Sequence, residues 1–254
     1  MSIRLKLIIM FLAVATVPLL LVAALTFHNY EDSLEASHLS QLRDIAAYKA
    51  DMIETYFAGV QSNIKIAQGL YNIKKNLPVL LRFSDDPNNP EYQVSKKQLG
   101  EQLLQMQSVL SDVSDIMLVN LEGKVVYANK AGHYSKNLSN SPFDAEQKAF
   151  SGGKDKICLS DIYFDKSEDN RFEMLVTAPA YDFGGVSIGV IALEVDMANV
   201  YKLVQDAIGL GNTGETLIGK KIGNQVVFLN PLRHDPDAAL TRSVNIGDNT
   251  GVGV

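Results

Sequence analysis

Tryptophan is absent from this chain of 254 residues, cysteine occurs once and histidine four times. Each scarcity closes off a class of function. The single Cys158 excludes an internal disulfide, and its place in the apolar run Ile157-Cys158-Leu159 reads as core packing rather than thiol chemistry. His28, His38, His133 and His234 lie far apart, and no H-E-x-x-H, C-x-x-C or G-x-S-x-G run accompanies them, which leaves zinc and hydrolase readings without support. Gly209, Gly211 and Gly214 are not followed by the lysine-serine pair of a nucleotide loop, so a helix stop and a turn explain them better. The acidic run at 165–169 has neither a mid-loop glycine nor a downstream bidentate glutamate, and it reads as a solvated turn rather than a calcium loop. A net charge of −6 argues against a nucleic-acid surface. No catalytic residue, cofactor or metal site is therefore expected, and binding is the function left.

Apolar sequence is plentiful, at 46% of the chain, and it is concentrated near the amino terminus. Residues 7–27, LIIMFLAVATVPLLLVAALTF, pass without a charged side chain. About 20 apolar residues at about 1.5 Å rise each cross the hydrocarbon core of a bilayer, so a transmembrane helix is expected here, with Pro18 as a tolerated kink. Arg4 and Lys6 precede the span while Glu31, Asp32 and Glu35 follow it, an asymmetry that keeps residues 1–6 in the cytoplasm and puts the chain from His28 onward outside. A cleaved signal peptide would have a shorter apolar region, about 7–15 residues, and a small-residue cut site. An uncut anchor in the inner (cell) membrane fits better.

Beyond the anchor, apolar residues recur at Leu34, Leu42, Ile45, Met52, Tyr56, Val60, Ile64 and Ala67 with no proline between Tyr30 and Tyr71. The steps predict a long stalk helix, assigned to residues 28–76 and broken at Leu77-Pro78, whose stripe packs on the following domain and partly on a second copy. A loop at 82–94 and a helix at 95–111 follow. The period then changes to two. Strands are predicted at 115–120 and 124–129 around the turn Leu121-Glu122-Gly123, then a short helix at 144–150 closed by Gly152-Gly153, then strands at 156–164, 172–181 and 186–196. This is an α+β module: a five-stranded antiparallel sheet with a helical crossover on one face and the long helix on the other. A helix at 197–208 precedes a strand pair at 215–222 and 225–229. Two strands cannot close a core, so the part after Gly211 is expected to be loose and to be the start of a second module cut short.

The anchor, the helix carrying Leu42-Arg43-Asp44-Ile45-Ala46-Ala47-Tyr48-Lys49 and Ile53-Glu54-Thr55-Tyr56-Phe57, the run Leu159-Ser160-Asp161-Ile162-Tyr163, Ala178-Pro179-Ala180-Tyr181-Asp182, Gly189-Val190-Ile191-Ala192-Leu193 and Gly209-Leu210-Gly211-Asn212-Thr213-Gly214-Glu215-Thr216 together resemble the double Cache sensor region of bacterial transmembrane receptors. The tail from Val227 to Leu240 is similar to that of sensor histidine kinases. The resemblance implies two PAS-like modules on a long helix, the membrane-distal one at 77–206 holding a small ligand and the membrane-proximal one starting at 207, and a second anchor leading to a cytoplasmic output; the homodimer through the stalk is expected from the stripe described above. That output is a histidine kinase on this reading; a chemoreceptor, a diguanylate cyclase or a membrane-anchored solute-binding or scaffold protein are the alternatives.

In such a sheet alternate side chains face the space under the crossover, which nominates Tyr127, Phe143, Asp161, Tyr163, Met174, Thr177 and Pro179, with plain core packing as the alternative for each. Asp161 and Tyr163 stand out as polar groups in an apolar strand that need partners. Glu194 matches, by the resemblance, an acidic position that contacts a ligand's cationic group. The amino-acid-binding members carry an arginine before the SDxY run. Here no arginine lies between Arg82 and Arg171, which removes a bidentate carboxylate clamp and favours a neutral or cationic ligand.

Overall fold

A computed structural model describes residues 2–134, 136–166 and 170–247, with only the backbone described at 28, 29, 31 and 32. The chain divides into two compact units, Met1–Ala50 and Asp51–Val254. The first is helix from Ile3 onward, all of it part of α1 (Ile3–Gly69). Its stretch Ile3–Phe27 has a mean hydropathy of 2.8 with no residue buried, and is the one helix among the described residues long and apolar enough to cross a membrane.

The second unit starts with the end of α1. The helix stops at Gly69 because Leu70 turns to extended backbone (φ −64, ψ 125), and α2 (Tyr71–Arg82) follows. The break expected at Leu77-Pro78 is thus misplaced: Pro78 lies inside α2, and the glycine marked the end. The loop expected up to residue 94 also ends early, since Asn89 caps α3 (Pro90–Val109) by accepting the Glu91 amide at 2.9 Å, with proline in the first turn.

Six antiparallel strands follow: β1 (Val113–Val119), β2 (Val125–Ala128), β3 (Cys158–Leu159), β4 (Tyr163–Asp165), β5 (Arg171–Tyr181) and β6 (Ser187–Asp196). Their order is β2-β1-β6-β5-β3, with β4 also on β5. The crossover between β2 and β3 holds two short 3-10 turns and α4 (Asp144–Gly153). Gly123 makes the β1-β2 turn at φ +98, a conformation that side chains with a Cβ rarely adopt.

Six strands rather than five result from a break in the expected strand 156–164. The Ser160 amide still donates to the Leu175 carbonyl at 2.8 Å, but Ser160 Oγ accepts the Leu175 amide at 2.8 Å in place of the Ser160 carbonyl, and the ladder is interrupted there, dividing the strand into β3 and β4. The sheet is buried on both faces. Val60, Ile64, Leu77, Leu99 and Leu103 of the helices cover Ile116, Leu118, Val176, Ile191 and Leu193. On the opposite face Leu138, Ala149 and Phe150 of the crossover cover Met117, Leu175, Val190 and Ala192.

After β6 come α5 (Ala198–Gln205), β7 (Gly219–Ile222), β8 (Gln225–Phe228) and β9 (Ser243–Asn245). The expectation of a loose segment is corrected here. β9, unforeseen, completes a three-stranded sheet β7-β8-β9, with Phe228, Leu232 and Ala238 as its core, and Tyr201 Oη donates to the Leu229 carbonyl at 2.7 Å. Residues 248–254 and 167–169, the latter part of the expected acidic turn, lie outside the described residues.

Candidate functional site

The sheet face under the crossover is apolar at one end and acidic at the other. Glu194 on β6 stands opposite Asp115 on β1 and Leu175 on β5, while Glu173 on β5 stands opposite Tyr163 on β4. Asp115, Glu146, Asp165, Glu173 and Glu194 are 0, 4, 3, 0 and 1% exposed. Buried carboxylates are costly unless paired or hydrogen-bonded, so their partners define the site.

Asp115 is the best provided. One of its oxygens accepts the amides of Ile116, Asn129 and Lys130 at 2.8, 2.9 and 3.0 Å, which fixes the corner where β2 turns into the crossover. The other accepts Nδ1–H of the fully buried His133 at 2.7 Å. That corner delivers Lys130, whose Nζ donates to Glu194 at 2.8 Å and lies 4.0 Å from Glu173. A register irregularity between Val113 and Asp115 leaves Ser114 as the extra residue. The bulge aims its hydroxyl at Glu194 at 2.8 Å.

A cavity of about 200 Å³ opens beside this cluster, lined by Lys136, Leu138, Ser141, Phe143, Glu146 and Asp165, among others. Phe143 stacks on Tyr163 with ring centroids 4.8 Å apart. Ser141 Oγ donates to Glu146, yet burial dominates and raises the Glu146 pKa above the usual carboxylate value. The Tyr163 hydroxyl makes no hydrogen bond of ordinary geometry. Burial, and then the charges of Glu146, Glu194 and Glu173, push it far above the usual phenol value. For His133 burial opposes protonation, but the hydrogen bond to Asp115 and the charge of Glu194 outweigh it and its pKa is raised.

Of the side chains nominated from sequence, the structure brings Phe143, Tyr163 and Glu194 together here. Thr177 is on the same face, but its hydroxyl is occupied by the Ala149 and Cys158 carbonyls at 2.6 and 3.3 Å, where it docks α4. Pro179 is buried further along β5, opposite Val190. Tyr127 and Met174 belong to the core on the helical face, and the Tyr127 hydroxyl donates to Asn129 at 2.7 Å. Asp161 is corrected: the strand breaks at it, its side chain is 54% exposed, and it pairs with Lys220. Asp115, Lys130, His133, Glu146, Asp165 and Glu173 were not singled out. The period of two starting from Glu194 reaches Asp115 and Glu173 through the strand register, whereas His133 and Lys130 had no strand pattern to betray them.

No family model matches the chain, and no curated protein matches it. Among solved structures it is similar to the ligand-binding domain of the Campylobacter jejuni chemoreceptor Tlp3 in complex with 4-methylisoleucine (16% identity, 66% of this chain and 64% of that one, TM-score 0.47). It is also similar to the sensor domain of the V. cholerae histidine kinase DctB (15% identity, 69% and 60%, TM-score 0.47). A third is the ligand-binding domain of the Pseudomonas fluorescens chemoreceptor CtaA in complex with L-isoleucine (15% identity, 76% and 67%, TM-score 0.45). The chain spans less than two thirds of the first two.

Proposed function

We propose that this chain is the extracytoplasmic sensing region of a membrane-anchored receptor of the double Cache type, with residues 77–206 as the ligand-holding module and residues from 207 onward starting the second. The order and spacing of the motifs support the family reading, and the helix Ile3–Phe27 supports the anchor. The exposed apolar side chains Leu34, Leu39 and Leu42 on α1 support pairing of two copies through the stalk. Output through a histidine kinase remains the first choice on the tail's resemblance.

The observation that carries a binding function is the acid-rich space under the crossover. Five buried carboxylates there, Asp115, Glu146, Asp165, Glu173 and Glu194, face three cations, His133, Lys130 and Lys136. A cavity of about 200 Å³ adjoins them. Such a site takes a small neutral or cationic molecule and rejects a dicarboxylate, which would add like charge to a low-dielectric interior. The ligand would touch Phe143, Tyr163 and Glu146 on entry and Glu194 at the inner end. A small shift of the crossover on the sheet is enough to signal, because only differential affinity for two arrangements is required.

The test is a thermal-shift screen of the full chain in detergent micelles against small amines, amino acids and organic acids. Amines should raise the melting temperature of the parent and not of a Glu194→Gln variant. Stabilisation by organic acids alone would overturn the reading.

A further inference from the structure

Lys130 and His133 both neutralise the buried carboxylates, but they are built differently. His133 is 0% exposed and clamped to Asp115, so it cannot leave without unfolding the corner. Lys130 is held by its backbone, through the amide donated to Asp115 at 3.0 Å, while its side chain is 29% exposed at the edge of the cluster. Its ammonium reaches Glu194 at 2.8 Å and stands 4.0 Å from Glu173, two carboxylates that are themselves 1 and 0% exposed. The acids cannot turn to water. The lysine can, by rotating its flexible stem about a fixed main chain.

We infer that Lys130 is an internal competitor for the ligand's cation: its ammonium and the ammonium of an entering ligand occupy the same place between Glu194 and Glu173. This rests on the binding function proposed above and narrows its ligand class from neutral or cationic to cationic. Exchange of one ammonium for another leaves the charge of the interior unchanged, whereas a neutral ligand that displaced Lys130 would remove one positive charge from beside two buried carboxylates, with His133, 4.0 Å from Glu194, left to offset them. Lys130 therefore sets both preference and affinity. A competitor that holds the carboxylates about nine-tenths of the time weakens apparent affinity about tenfold.

Two substitutions act in opposite directions. Lys130→Met keeps the length of the stem and removes the competitor. Lys130→Arg installs a planar fork that grips both carboxylates more firmly. Isothermal titration of the full chain in micelles with n-butylammonium and with 1,4-diaminobutane should give about tenfold tighter binding for the Met variant and weaker binding for the Arg variant. Equal affinity in parent and variants, with binding intact, overturns the competitor and leaves the sensing function standing. Absence of amine binding in all three overturns both. If the Met variant does not fold, the Arg variant decides alone, since unchanged or tighter binding there contradicts the competition.

Discussion

Replacing His133 by alanine is the most informative single perturbation of the acidic cluster. The side chain and its partner Asp115 are each 0% exposed and meet at 2.7 Å. Breaking a buried pair by deleting one member costs about 3–5 kcal/mol, because the survivor keeps its desolvation and loses its counter-charge. Asp115 retains three backbone amides on its other oxygen, which favours the lower end, about 3 kcal/mol. For a unit of this size that is a fall of roughly 6–12 °C in melting temperature. The sign of the pH dependence is equally specific. His133 titrates above its ordinary 6.5, so its contribution is fully present below pH 6.5 and is lost as pH rises through the elevated value. Glu146, also raised, acts in the same direction from a start near 4.5. The parent should therefore melt at a higher temperature at pH 6 than at pH 9, and His133→Ala should flatten that slope between the two. Near-UV circular dichroism of the full chain in micelles reads both effects. A loss below about 1 kcal/mol, or a slope that survives the substitution, would show that the His133–Asp115 pair carries neither the stability nor the titration assigned to it.

Thr177→Val removes the hydroxyl that docks α4 on the Ala149 and Cys158 carbonyls and should cost about 1–2 kcal/mol in denaturant unfolding, without changing which compounds bind. Gly153→Ala places a methyl 2.4 Å from Thr177 Oγ1 and 2.5 Å from its Cβ, so it should push α4 off the sheet and lose at least about 1–3 kcal/mol in the same assay. Asp161→Ala breaks only an exposed ion pair with Lys220 and should change stability by less than about 1 kcal/mol, and amine binding not at all; a large effect on binding would restore Asp161 to the site.

How much of this was open to reading from the residues varies along the chain. The switch from helical period to period two announced the sheet, and turn glycines such as Gly123, Gly185 and Gly223, all at positive φ, fixed where its strands and the β7-β8 pair reverse. Pro78 misled because a proline is tolerated when the lost hydrogen bond falls within a short helix already packed on a core, whereas Gly69 held the boundary signal. The break at Ser160 was hidden because it depends on a hydroxyl finding the Leu175 amide across the sheet. β9 is three residues long and takes its register from β8, which no local pattern shows. The site was partly legible for a related reason. Glu194, Tyr163 and Phe143 carry polarity or aromatic mass into recognisable elements, but Lys130 and His133 sit in the irregular crossover, where only the Asp115 corner gives them a direction.

The function proposed above requires the space under the crossover to bind positive charge through Glu194. It is tested most directly by titrating the full chain with three compounds of nearly equal size and shape, n-butylammonium, n-butanol and butyrate. Binding should follow the order ammonium, alcohol, carboxylate, with the advantage of the ammonium over the alcohol lost in Glu194→Gln. Equal binding of the alcohol and the ammonium to the parent, or a preference for butyrate, would contradict it.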